Sequence, residues 1–309
     1  AGAPGGHERR LGDVPAQPRV SGADGGTGDQ GVGELTMAEV TRPVLRYHGG
    51  KWRLAPWIIS HFPAHRVYVE PYGGAASVLL RKPRVYSEVY NDLDGEIVNL
   101  FRVLRNPSQA RELQRLVELT PCARQEFDDA VLLSGDPIEQ ARRTLIRHWF
   151  AYATGQHRSR NKVFRSHATG NHPVAPEWGR YPAVLAEITA RLRGVMIENA
   201  PALDVLTRYD GQGVLFYCDP PYVLGTRAAR QAGNVYQYEM TDDEHVQLAE
   251  ALHQVVGAVV LSGYDSEMYR ELYGDWRRVE RDAVADGGVK RTEVLWLSPN
   301  VATQKGLFD

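Results

Sequence analysis

The sequence predicts an α/β fold: a mixed, mostly parallel sheet finished by an antiparallel hairpin, with a helical block inserted in mid-chain. Three observations predict it. Short apolar or β-branched runs at 67–70, 85–90, 195–199, 214–218 and 258–262 alternate with segments carrying apolar residues at three- and four-residue spacing, as parallel βαβ units do. Residues 105–194 show only the helical spacing. Two final extended runs, 276–282 and 291–297, flank Gly287-Gly288 and read as a hairpin.

Composition bounds the possibilities. The chain has 309 residues, 43% hydrophobic and 24% charged, enough for one large domain and an inserted smaller one. Its net charge is −2, so a nucleic-acid-binding surface would have to be local. The two cysteines, Cys122 and Cys218, form no C-x-x-C pair, and the ten histidines lack metal-ligand spacing. Neither a disulfide framework nor a metal is expected, and a reducing, cytoplasmic setting fits. No apolar stretch reaches membrane-spanning length, so no membrane partner is expected. Residues 1–36 are dominated by glycine, proline and small polar residues. They cannot bury enough surface to offset their ordering entropy, so 1–39 is expected to be a disordered tail, with Met37 as an internal or original start. The tail lacks the apolar core of a signal peptide.

Arg46-Tyr47-His48-Gly49-Gly50-Lys51 precedes a helical pattern over 52–62. Its two glycines permit close backbone approach to a ligand, and Lys51 places a cation at the helix start. Strand 67–70 runs into Pro71-Tyr72-Gly73-Gly74-Ala75-Ala76-Ser77 and an apolar helix, the first half of a nucleotide-binding βαβ unit. This is not Gly-x-Gly-x-x-Gly, so no pyrophosphate is called for. The next strand closes on Asn91-Asp92-Leu93-Asp94. An acid about 20 positions after the turn sits where this fold places a carboxylate on a ribose, and Asp92 fits; Asp94 caps the helix 95–105.

The run Gly213–Cys218 ends in Asp219-Pro220-Pro221-Tyr222. In open α/β sheets ligands bind at the carboxyl ends of strands. Asp219 offers a carboxylate acceptor, Pro220 a carbonyl and no N–H, and Tyr222 a flat ring. Two acceptors beside an aromatic face suit a planar heterocycle with an exocyclic amino group. A Pro-Pro turn with Asp219 as a turn former would read the same in isolation.

The ordered set resembles the Dam-type DNA adenine methyltransferases, of alpha motif order: cofactor site, recognition insert, catalytic tetrapeptide. The resemblance covers roughly 44–104 and 195–299. Tyr47-His48-Gly49-Gly50-Lys51 resembles the family's first motif, and Glu70–Ser77 resembles Glu-Pro-Phe-x-Gly-x-Gly-Ser, with Tyr72 for Phe and Ala76 for the second Gly. It implies a Rossmann-like methyltransferase sheet split into 40–104 and 195–309, with 105–194 as a helical DNA-recognition insert. It further implies S-adenosylmethionine as cofactor, held by Tyr47, Lys51, Glu70, Tyr72, Gly74, Asp92 and Asp219. Asn199 ends its strand on the same side, where it either touches the cofactor adenine or closes a turn. Asp219, Pro220 and Tyr222 become the catalytic set acting on a flipped adenine. The ordinary pKa of an aspartate is too low for a strong-base role at Asp219.

Double-stranded DNA is the expected partner, and a monomer the expected state. From Gln140 to Pro176 there is no Asp or Glu. Arg147, Arg158, Arg160, Lys162 and Arg165, with His157 and Asn161, are expected to meet phosphates and base edges. Arg227, in a Gly- and Arg-rich stretch after the tetrapeptide, is expected to add a phosphate contact. Two other readings remain open: a non-catalytic DNA-binding module on the same fold, and amino-methyl transfer to cytosine or RNA. Cytosine enzymes of this type more often carry Ser before Pro-Pro, so Asp219 favours adenine.

Overall fold

The structure, a computed structural model, describes residues 2, 40–47, 49–151, 163–165, 173–223, 238–284 and 290–303. All of these but residue 2 belong to one compact unit, Met37–Asp309. The expected tail 1–39 lies outside the described residues, residue 2 excepted.

Seven strands form one sheet: β1 (Val67–Glu70), β2 (Ser87–Asn91), β3 (Val195–Glu198), β4 (Val214–Cys218), β5 (Ala258–Gly263), β6 (Arg277–Val284) and β7 (Lys290–Leu297). Their order is β3-β2-β1-β4-β5-β7-β6. The first five are parallel, and β7 pairs antiparallel with β5 and β6. β4 and β5 are buried throughout, which is why they read as continuous apolar runs. Alternate residues serve opposite faces: Leu215 and Tyr217 join one core cluster, Val214, Phe216 and Cys218 the other.

Helices α1 (Ala55–Ile59), α2 (Ser77–Arg81) and α3 (Gly95–Arg105) follow the cofactor-type motifs. The insert supplies α4 (Pro107–Leu119), α5 (Arg124–Asp129), α6 (Pro137–Phe150), α7 (Val174–Arg180) and α8 (Pro182–Leu192). Then come α9 (Ala202–Tyr209), α10 (Asp242–Gln254), α11 (Glu267–Leu272) and α12 (Asn300–Thr303). Local chemistry sets many of the starts. The Asp94, Asn106 and Asp136 side chains accept N–H bonds in the first turns of α3, α4 and α6, and Thr241 with Glu244 forms a capping box on α10. The helix expected over 52–62 is only five residues long; tighter turns, with His61 N–H donating to the Ile58 carbonyl and Phe62 N–H to the Ile59 carbonyl, carry the chain on to Pro63. The helix expected over 180–192 is α8, which starts at Pro182, and a separate short helix, α7, precedes it.

The helical block is not a free-standing body. One core cluster runs from Tyr68 and Tyr90 of the sheet through Leu113, Leu145, Trp178 and Leu185. A buried ion cluster fastens α8 to β2: Arg191 donates to both Glu88 oxygens at 2.6 and 2.9 Å, and Lys82 Nζ donates to Glu88 at 2.7 Å.

Candidate active site

The strand order reverses between β1 and β4, since β2 and β3 lie on one side and β5 on the other. At such a switch point the loops after the two strands splay apart and leave a crevice at their carboxyl ends. A cavity of ≈ 270 Å³ lies there, lined by Tyr47, Lys51, Glu70, Gly74, Asp92 and Asp219 among others. The motif before α1, the turn after β1, the end of β2 and the tetrapeptide after β4 thus meet in one place.

The turn after β1 is built on two aromatic rings. A Cβ on Gly73 would lie 2.2 Å from the Tyr90 ring, and one on Gly74 would lie 2.6 Å from the Tyr47 ring. Gly74 also has φ +48°, a region that favours glycine. Its N–H donates to Asp92 Oδ2 at 2.7 Å, its carbonyl accepts from the Tyr90 hydroxyl at 2.7 Å, and the Gly73 N–H donates to the Asn91 carbonyl at 2.7 Å. Asp92 is thereby part of the turn, with Oδ1 accepting from the Asp94 N–H at 2.8 Å. Burial pushes its pKa up to about 6, against the pull of those N–H groups. Ala76, where the family pattern has glycine, stands at φ +52°.

Glu70 closes β1 and is 2% exposed. Its Oε2 is buried without a hydrogen-bond partner among the described residues. Burial, then the Asp219 charge, push Glu70 well above the ordinary carboxylate range. A buried, unsatisfied acid in the wall of a cavity is an acceptor for a cationic or N–H-bearing ligand.

Asp219, 19% exposed at its side chain, receives the Lys51 ammonium at 3.0 Å. Burial pushes its pKa up to about 6, with Lys51 the main opposing influence. The ordinary value assumed from the sequence is therefore corrected upward, toward the range of a proton acceptor useful near neutrality. Pro220 is buried, and Pro221 lines the cavity. Tyr222 is 8% exposed; its hydroxyl donates to Glu293 Oε1 at 2.6 Å, and its ring stands edge-on to Tyr264 at 4.4 Å. Lys51 Nζ lies 4.8 Å from the centroid of that ring.

Other expected site residues are placed differently. Asn199 is absent from the cavity wall; its amide donates to the Asp92 and Leu93 carbonyls at 2.8 and 3.2 Å, so it braces the Asp92 loop from behind. Arg147 does not face solvent: it is 5% exposed and pairs with Glu96 in the first turn of α3. A cation spaced on the inner face of α6 cannot also reach a phosphate. Arg165, its side chain 14% exposed, lies 3.7 Å from Glu177. His157, Arg158, Arg160, Asn161, Lys162 and Arg227 lie outside the described residues.

Sequence reasoning missed four contributors. Asn91 ties three strand ends together, donating to the Pro71 and Ala200 carbonyls and accepting from the Ala200 N–H at 2.8, 3.0 and 3.0 Å. Met240 and Glu244 close the cavity from the α10 side. Glu293 on β7 approaches Lys51 and Tyr222; a lone acid heading the apolar run Val294–Leu297 was its one sequence signal.

Among the described residues no cluster of His, Cys, Asp and Glu suits a metal ion, and no helix is long and apolar enough to cross a membrane. The chain is 26% identical over 270 residues to DNA adenine methylase of Escherichia coli K12, covering 81% of this chain and 92% of that protein. It is 26% identical over 287 residues to DNA adenine methylase of Salmonella typhi, covering 85% and 97%. The solved structure of precorrin 8W decarboxylase from Methanobacterium thermoautotrophicum matches 80% of the chain at 10% identity and a TM-score of 0.33, too distant to bear on function. The D12 class N6 adenine-specific DNA methyltransferase family matches residues 47–286. With that match over most of its length, the chain belongs to the D12 class of N6 adenine-specific DNA methyltransferases.

Proposed function

We infer that the chain methylates the exocyclic amine of adenine in DNA, with S-adenosylmethionine as donor, at the cavity between β1 and β4. One observation carries the reading: the turn of Glu70–Gly74, Asp92 and the Asp219 carboxylate line a single cavity.

The family's reaction needs a methyl donor, and the residues present fit this one. S-adenosylmethionine carries an ammonium and a sulfonium, and the wall offers Glu70 Oε2, without a hydrogen-bond partner among the described residues, together with Asp92 and Asp219. Glu70 and the Gly73-Gly74 backbone would hold the methionine end, Asp92 the ribose, and Tyr47 and Tyr72 the flanks. When bound, the donor supplies an electrophilic methyl on sulfur, so that an N–C bond forms as an S–C bond breaks.

The chain's own residues supply orientation. A base in duplex DNA is stacked and paired, so it must be extruded at a cost of a few kcal/mol. A ring face such as that of Tyr222 offsets about 1–3 kcal/mol of this. Asp219 accepts an N–H from the amine and, with the Pro220 carbonyl, favours a pyramidal nitrogen whose lone pair points out of the ring. Once the methyl has arrived, the surplus proton on nitrogen passes to Asp219 Oδ or to water. Catalysis is then positioning and electrostatics, without a covalent enzyme intermediate. The cations at 158, 160 and 162 hold the DNA, and residues 105–194 serve as the recognition insert.

Incubating the protein with DNA and methyl-labelled donor, then digesting to nucleosides for mass spectrometry, tests the reading. Label in N6-methyl-2′-deoxyadenosine is expected. Label in cytosine, or none in DNA, would overturn it.

A further inference from the structure

Glu293 takes no part in any step derived above. It enters the site from β7, two strands away from β4, and is 4% exposed. Its Oε1 accepts the Tyr222 hydroxyl at 2.6 Å and lies 3.3 Å from Lys51 Nζ. The same ammonium lies 3.0 Å from Asp219 Oδ1 and donates to the Gly49 carbonyl at 2.8 Å. Ser262 Oγ on β5 lies 3.2 Å from the Tyr222 hydroxyl. One buried carboxylate thus grips two of the side chains that neighbour Asp219.

Stability alone does not ask for this. A second acid buried close to Asp219 loses hydration and meets a like charge, and a well-packed apolar side chain in such a place is often neutral or stabilising. The interposed Lys51 offsets part of the repulsion, and because it is shared between two carboxylates it neutralises neither fully.

We propose that Glu293 is a positioning residue for methyl transfer: it fixes the Tyr222 ring through its hydroxyl and divides Lys51 with Asp219, so that the ammonium does not fully occupy the Asp219 carboxylate and the target amine can reach it. This rests on the reading that Asp219 receives that amine.

The groups facing Asp219 decide what a change at Glu293 does. Lys51 faces it from the segment before α1, Glu70 from the end of β1, Tyr222 from its own loop, and Glu293 bears on it from β7. Burial holds Tyr217, Cys218 and Tyr269 protonated. Glu70 is held well above the ordinary carboxylate range. Lys51 and Glu293 are therefore the charges that set Asp219.

The test is Glu293→Gln, which keeps the volume and an acceptor for Tyr222 but removes the charge. Asp219, followed by ¹³C-carboxyl NMR and assigned with Asp219→Asn, is expected to titrate below the wild-type value of about 6. Two causes act in that direction: a like charge is gone, and Lys51 is left to Asp219 alone. The acidic limb of the kcat profile should move down with it, and kcat near neutrality should fall roughly 10-fold, with KM for the donor within about 2-fold of wild type. A merely structural role would lower the melting temperature and leave both titrations in place, and that result overturns the proposal. Should Glu293→Gln not fold, Tyr222→Phe removes only the hydroxyl that Glu293 holds. A roughly 10-fold loss of kcat with unchanged donor Kd is expected, and wild-type kcat overturns the proposal. If the wild-type protein methylates no DNA, the functional reading fails by itself, while the Asp219 titration still decides the role of Glu293.

Discussion

Lys51 Nζ lies 3.0 Å from Asp219 Oδ1, so the motif that opens the fold partly compensates the acid of the tetrapeptide after β4. The contact accounts for how a carboxylate is kept in a buried place. Burial raises the Asp219 pKa, and Lys51 is the largest influence that lowers it. Lys51→Met should therefore raise it further, by about one unit or more. The acidic limb of the kcat profile is then expected at higher pH than in the wild type, and an unmoved limb would separate Lys51 from the titration.

Donor binding should depend on pH with a definite sign. Asp92 and Asp219 both stand at about 6 when folded, above the ordinary value near ~3.9. Folding therefore takes up protons. The stability these groups lend is present below about pH 4 and lost as pH rises through about 6. A cationic ligand favours the ionised forms and recovers that loss. S-adenosylmethionine should raise the melting temperature more at about pH 7.5 than at about pH 5. Differential scanning fluorimetry at the two pH values measures this.

Arg147 and the cations of 158–162 should part company. Arg147 is buried against Glu96. Arg147→Ala should cost roughly 3 kcal/mol in urea unfolding, because Glu96 is deprived of its partner. The slope of log K for DNA against log salt should not change. Replacing Arg158, Arg160 or Lys162 should instead lower that slope by about 0.9 for each phosphate no longer neutralised, with stability near wild type.

Ala76 offers a test of the turn. It holds φ +52° and is fully buried. Relieving left-handed strain gains about 1–2 kcal/mol, while removing a buried methyl costs about 0.8 kcal/mol and glycine's extra unfolded-state freedom about 0.5–1 kcal/mol. Ala76→Gly should thus fall within about 1 kcal/mol of wild type. Ala76→Val adds a β-branch where the backbone is left-handed and volume where the core is full, and should cost about 3 kcal/mol or more. Denaturant unfolding of the two variants decides it.

The contrast between Asp219 and Glu293 shows what the sequence could and could not convey. Asp219 was legible because a buried parallel strand leaves an uninterrupted apolar run, and the residues just past its end stand at the ligand edge. The turn at Gly73-Gly74 and the cap at Asp94 were legible because their residue types answer a local backbone demand. Glu293 belongs to a contact made only when β7 pairs with β5, and side-chain period says nothing about which distant strand will be neighbour. Arg147 was misread for a related reason. An acid-free run announces local positive charge, but Glu96, the acid that absorbs Arg147, comes from α3. The position of Asn199 at a strand end suggests a ligand contact, yet its amide is taken by the backbone of the Asp92 loop.

Transfer of labelled methyl from S-adenosylmethionine to DNA, compared between wild type and Asp219→Ala, bears most directly on the central claim that Asp219 orients the amine. Donor binding should weaken only modestly in the variant, because Glu70 and Asp92 remain, while turnover should fall by roughly 10³-fold or more, about 4 kcal/mol of transition-state stabilisation. Wild-type-like turnover in Asp219→Ala would contradict the claim.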